Sequence, residues 1–184
     1  MRKVRFVSIL SAVLLLAASP AMAGTWYIGG GINSVSLGGD LDDVDSGSGF
    51  AFNFGYNFNP TFALDFLLGG SGHEDPDGFN MGYGRFDIGA EFIMDTGGPF
   101  APYMTVGLGS HVLDYDDYNT SLQGGSLYFG GGFDYYFTPG HSLDVGLRFH
   151  SWSVDVNHGG VILKDVRDAT TTVLTIMYNY HFIM

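Results

Sequence analysis

The feature that most constrains this chain is an alternation of period two, with one aromatic face and an opposite face nearly free of lysine. Phe50, Phe52, Phe54, Tyr56 and Phe58 fall on one side of a segment whose other side reads Ala51, Asn53, Gly55 and Asn57. The pattern recurs at Leu127, Phe129, Phe133, Tyr135 and Phe137 against Gly130, Gly132 and Asp134. It recurs again at Leu174, Ile176, Tyr178, Tyr180 and Phe182 against Thr175, Asn179 and His181. Successive strand residues point to opposite faces, so each segment is a strand with two chemically different sides. A soluble sandwich alternates too, but its water-facing side carries Lys and Glu freely. Here that side is mainly Gly, Ala, Asn, Asp and Tyr, and Lys164 is the one lysine beyond the first residues. Small hydrogen-bonding residues suit the narrow interior of a small barrel, which leaves the aromatic side to meet lipid.

Eight such segments run Thr25–Val35, Phe50–Phe58, Phe62–Gly69, Tyr83–Met94, Phe100–Val112, Leu127–Phe137, Leu143–Trp152 and Thr171–Met184. Their lengths suit a tilted bilayer strand, which takes about 9–11 residues. Short turns fall at Asn59–Thr61, Asp95–Pro99 and Thr138–His141. Longer polar stretches fall at Ser36–Gly49, Gly70–Gly82, Leu113–Ser126 and Ser153–Thr170. Long and short alternate strictly, as in barrels with short periplasmic turns and long external loops. The predicted fold is all-β: an eight-stranded antiparallel up-and-down transmembrane β-barrel with four long external loops and three short periplasmic turns. Strand one must pair with strand eight, because an open edge in lipid leaves backbone groups unbonded.

Residues 1–23 differ from the rest. Arg2, Lys3 and Arg5 precede an apolar run from Val7 to Ala18, and Ala21-Met22-Ala23 is a small-x-small pattern. These are the parts of a secretory signal, expected to be cleaved after Ala23, with the barrel domain at 24–184. The mature region then keeps four bases, Arg85, Arg148, Lys164 and Arg167, against all 19 acidic residues, a net charge of −15. Such a chain repels nucleic acid. There is no cysteine, so neither disulfides nor thiolate metal sites arise.

Thr25 to Gly31 (TWYIGGG), Pro102 to Gly109 (PYMTVGLG), Ser142 to Phe149 (SLDVGLRF) and Tyr178 to Phe182 (YNYHF) together resemble the small eight-stranded outer-membrane family. That family is typified by the outer membrane protein A transmembrane domain and the opacity-type barrels. The resemblance spans Gly24–Met184. It implies residence in the cell outer membrane, outer-membrane lipids and lipopolysaccharide as neighbours, and insertion by the barrel-assembly machinery through the C-terminal strand. It also implies a monomer without cofactors. The type member resembles a barrel followed by a peptidoglycan-binding domain, whereas this sequence ends at its last strand. Family barrels usually end in an aromatic residue; here Met184 is last and Phe182 lies two earlier on the same face.

Four residue groups are candidate sites. Strand parity turns Asp65, Arg85, Asp87, Glu91, Asp134, Asp144 and Arg148 inward, with Asp65 expected opposite Arg85 across the third and fourth strands. A buried charge costs several kcal/mol unless paired, so this set reads as a packed plug or as a gated ion path. Asp40, Asp42, Asp43, Asp45, Asp114, Asp116 and Asp117, with Glu74, Asp75 and Asp77, offer hard oxygens to Ca²⁺ or Mg²⁺, or simply keep loops solvated. His150-Ser151-Trp152-Ser153 bears a partial likeness to lipid A deacylases, whose signature resembles His-x-Ser followed by Asn. Here Trp152 breaks that signature, and both serines have the parity opposite to His150, while Asp165 or Asp168 would have to supply the acid. Trp26, Tyr56, Phe58, Phe137, Tyr178, Tyr180 and Phe182 read as an aromatic belt at the lipid–water boundary.

The function expected from these residues is non-enzymatic: envelope integrity, adhesion or loop presentation. Passage of a small solute and lipid A hydrolysis are the rival readings.

Overall fold

Backbone groups of a lipid-exposed sheet can find partners only within the sheet, and the observed topology satisfies that demand. The computed structural model describes residues 24–74, 76–115, 120–158 and 161–182, apart from the side chains of 120 and 156–167. The N-terminal segment 1–23, Asp75, Asp116, Asp117 and Met184 lie outside the described residues.

Eight strands follow one another: β1 Thr25–Gly39, β2 Gly47–Asn59, β3 Phe62–Glu74, β4 Asn80–Ile93, β5 Phe100–Tyr115, β6 Thr120–Thr138, β7 His141–His158 and β8 Val161–His181. Each pairs antiparallel with its sequence neighbour, and the sheet closes through β1 and β8. That seam runs from Tyr27 opposite His181 to Gly39 opposite Ala169.

The outer surface is apolar. Phe50 is 70% exposed, Leu127 68%, Phe52 64% and Phe129 63%, far beyond what a water-soluble surface tolerates as a continuous band. The sheet is inside out, and hydrocarbon is its outer solvent.

The strands are longer than the alternation predicts. They span 13 to 21 residues, so half or more of each long loop is strand wall. Connections at that end shrink to 40–46, 75–79, 116–119 and 159–160, against 60–61, 94–99 and 139–140 at the other. The inward parity continues into these extensions but changes chemistry. Val35, Leu37, Leu41, Met81, Tyr83, Leu113, Leu122, Trp152, Val154, Ala169 and Val173 form one buried apolar cluster inside the barrel. The sequence reading places most of these residues in loops; they instead plug the lumen toward the end opposite the short turns.

Small residues make room for large ones below the plug. A Cβ at Gly89 would collide with the Tyr128 hydroxyl, so glycine lets that phenol reach from β6 over β5 to β4.

Substituting the lipid-facing Val106 by Lys, between exposed Met104 and Leu108 on β5, should destabilise the folded barrel by about 2–4 kcal/mol. Equilibrium urea titration in lipid vesicles reads this directly.

Candidate functional site

The interior is built in tiers, because equivalent inward positions on neighbouring strands reach the same depth. Read from the short-turn end, the inward residues of β7 are Ser142, Asp144, Gly146, Arg148, His150, Trp152 and Val154. Read toward that end, β4 presents Met81, Tyr83, Arg85, Asp87, Gly89 and Glu91. Both strands therefore pass from apolar through imidazole or phenol to charge.

All seven inward charges are buried, from Asp87 at 0% to Asp134 at 9% exposure. Arg148 is their hub. Its guanidinium lies 2.8 Å from Asp65 Oδ2, 3.4 Å from Asp87 Oδ2 and 3.8 Å from Glu91 Oε1. It also sits 5.4 Å from the centre of the Tyr128 ring, a cation–π contact. Arg85 Nε lies 3.2 Å from Asp87 Oδ2. The expected partnership of Asp65 with Arg85 is not formed. Across β3 and β4, Asp65 stands opposite Gly89 and Arg85 opposite Gly69, so the hairpin is centred later than the sequence suggests.

Phenols and hydroxyls serve the remaining carboxylates. Tyr27 donates to Asp65 at 3.0 Å and Tyr103 to Asp144 at 2.7 Å. Ser142 and the Asn179 amide donate to Asp134 at 2.8 and 3.4 Å. The gap lined by Tyr27, Glu91, Tyr103, Tyr136 and Asn179 has room for about one water.

Above the arginines lies a tier that the sequence reading misses. His111 Nδ1 is 2.5 Å from the Tyr83 hydroxyl, and His111 Nε2 is 2.7 Å from Ser126 Oγ. Ser126 Oγ also meets His150 Nδ1 at 3.3 Å, and His150 Nε2 lies 3.7 Å from Asp87 Oδ2. The His111 ring stacks on Trp152, which ties this tier to the apolar plug above. His111 has the same inward parity as Thr105 on the same strand, so the alternation that singles out Asp87 also marks it.

The other candidate groups are dispersed. Asp40, Asp42, Asp43, Asp45 and Asp114 are exposed, and among the described residues the loop acids bring no three donors together. Asp116 and Asp117 lie outside the described residues. His150 points into the barrel while Ser151 and Ser153 are exposed on the opposite side, so the His–Ser arrangement of a deacylase is not formed there. The side chain of Asp165 is outside the described set. Of the belt residues, Trp26, Phe137, Tyr178, Tyr180 and Phe182 are exposed and Tyr56 and Phe58 half-buried, all toward the short-turn end. Trp26 packs on Phe54 and Tyr56 with ring centroids 4.9 and 4.5 Å apart.

Residues 8–182 match the outer membrane protein beta-barrel domain family. No curated protein matches the sequence significantly. Among solved structures, Neisserial surface protein A is 15% identical with a TM-score of 0.66, covering 88% of this chain and all of that one. Outer membrane protein OprG of Pseudomonas aeruginosa is 16% identical with a TM-score of 0.60, covering 88% and 97%. The attachment invasion locus protein Ail of Yersinia pestis, in complex with the heparin analogue sucrose octasulfate, is 16% identical with a TM-score of 0.59, covering 88% and 100%.

Replacing Arg148 by Met should destabilise the barrel by about 3–5 kcal/mol, since Asp65, Asp87 and Glu91 lose a shared buried partner. Adding Asp65→Asn should restore part of that loss. Denaturant unfolding of the single and double variants measures both, and equal stability of Arg148→Met and the parent would contradict the hub.

Proposed function

The chain belongs to the outer membrane protein beta-barrel domain family, and we propose that it acts within that family as a sealed, non-enzymatic barrel displaying acidic hairpins at the cell surface. The observation that carries this reading is the filled lumen. A polar tier knitted by Arg148 is capped by the apolar plug of Leu113, Leu122, Trp152 and Val154, each 5% exposed or less. An ion crossing it would shed its water among hydrocarbon side chains, which is prohibitive without compensating ligands. The same plug holds the strand extensions together beyond the bilayer, so the tips are carried on stiff supports.

The tips define the chemistry of the surface. Asp40, Asp42, Asp43, Asp45, Glu74, Asp77 and Asp114 crowd the external ends of β1 to β5, in a chain whose formal net charge is −12. These carboxylates repel sulfated polysaccharide, unlike the surface of Ail that meets a heparin analogue. They favour cationic partners, or lipopolysaccharide bridged by divalent ions. In this reading residues 1–23 are the removed export signal, the barrel-assembly machinery inserts the chain through β8, and the barrel works as a monomer. A lipid-modifying hydrolase is disfavoured because His150 faces the lumen, away from any acyl chain.

Purified barrel in planar bilayers should give no steady conductance above that of the bare membrane; stable open steps would favour solute passage instead. Cells displaying the protein should adhere to a polycationic surface, and Asn at positions 40, 42, 43 and 45 should weaken that adhesion. Adhesion unchanged by those substitutions would remove the hairpin tips from the reading.

A further inference from the structure

We propose that Asp87, His111 and His150 form an interior site for one divalent transition cation of the zinc class. The three residues come from β4, β5 and β7 and are 0%, 2% and 2% exposed. One donor atom from each lies within 4.8 Å of the others. With metal–ligand bonds of about 2.0–2.1 Å, a tetrahedral site places its donors about 3.3 Å apart, so a rotamer-scale contraction completes the set.

The hydrogen bonds around the site admit the tautomers that metal binding needs. With His111 protonated at Nδ1, Tyr83 accepts from it and the Nε2 lone pair of His111 is free to receive the Ser126 hydroxyl proton or a metal. With His150 likewise protonated at Nδ1, Ser126 accepts from it and His150 Nε2 is left free. Outer partners that fix imidazoles in this way are a regular part of metal sites. His150 Nε2 and Asp87 Oδ1 are buried and make no hydrogen bond among the described residues. They therefore point to a further ligand.

Gly109 leaves the approach open. A Cβ there would sit 2.5 Å from Ser126 Oγ, 2.7 Å from Asp87 Oδ1 and 3.1 Å from His111 Nε2, in the midst of the donors. Two imidazoles and one carboxylate suit zinc, cobalt, nickel or ferrous iron, whereas calcium and magnesium prefer all-oxygen sets. Asp87 can serve both sides, with Oδ2 toward the arginines and Oδ1 toward the metal. The site is independent of whether the barrel conducts.

The test is metal retention. The chain is refolded in detergent with Zn²⁺ present, because the finished barrel buries the donors, then desalted, and bound zinc is counted by plasma mass spectrometry. Folding of each variant is checked by the heat-dependent shift on gels. The parent should retain one zinc per chain, and His150→Ala and Asp87→Asn should retain none. His181→Ala, whose imidazole bonds Ser142 in a separate tier, should retain the full amount. Tyr83→Phe keeps the ring and removes only the outer hydrogen bond, so it should weaken affinity about tenfold and serves if the other variants do not fold. A folded parent without retained zinc overturns the proposal. So does retention that survives both His150→Ala and Asp87→Asn, or an unchanged affinity in Tyr83→Phe.

Discussion

Hydrocarbon offers a peptide group no hydrogen bond, and the architecture of this protein follows from that one deprivation. A sheet surrounded by lipid cannot leave an edge, so β1 must meet β8, and it does so from Tyr27 to Gly39. Once the sheet is closed, the outer side chains need only be apolar, and Phe, Leu and Ile suffice there. Specificity moves inward, where eight strands enclose a lumen that side chains can fill.

The filled lumen has two different halves. In the half nearer the short turns, the buried charges compensate one another, with Arg148 shared by Asp65, Asp87 and Glu91 and the phenols supplying the remaining donors. Toward the opposite end the interior becomes an ordinary apolar core, built on strands that continue past the lipid-facing belt. The histidine tier lies where the two halves meet, with His111 bonded to Ser126 and stacked on Trp152.

Much of this is legible in the sequence, for a definite reason. Period two is a property of the strand itself, so Phe50 to Phe58 and Leu174 to Phe182 declare their outward face before any contact is known. The same parity turns Asp65, Asp87, Glu91 and Arg148 inward. What alternation does not reveal is register between strands. The hairpin joining β3 and β4 is centred two residues later than symmetry about its loop suggests, and Asp65 consequently meets Arg148 rather than Arg85. Strand ends are also illegible where the inward residues turn from polar to apolar. Leu37, Leu113 and Val154 lose the contrast between faces that identifies a strand in lipid, so they read as loop. The histidine tier escapes notice because its members are far apart in the chain and join only when β4, β5, β6 and β7 are set side by side.

The central claim is that lipid, rather than protein, covers the aromatic side of these strands, and the two tryptophans test it from opposite faces. Trp26 is 42% exposed on the outer surface and Trp152 is 3% exposed within the plug. Single-tryptophan barrels, Trp152→Phe and Trp26→Phe, are folded into vesicles containing bromine-labelled lipid chains, and their fluorescence is compared. Trp26 should be strongly quenched and Trp152 left bright; quenching of Trp152 with Trp26 spared would contradict the claim.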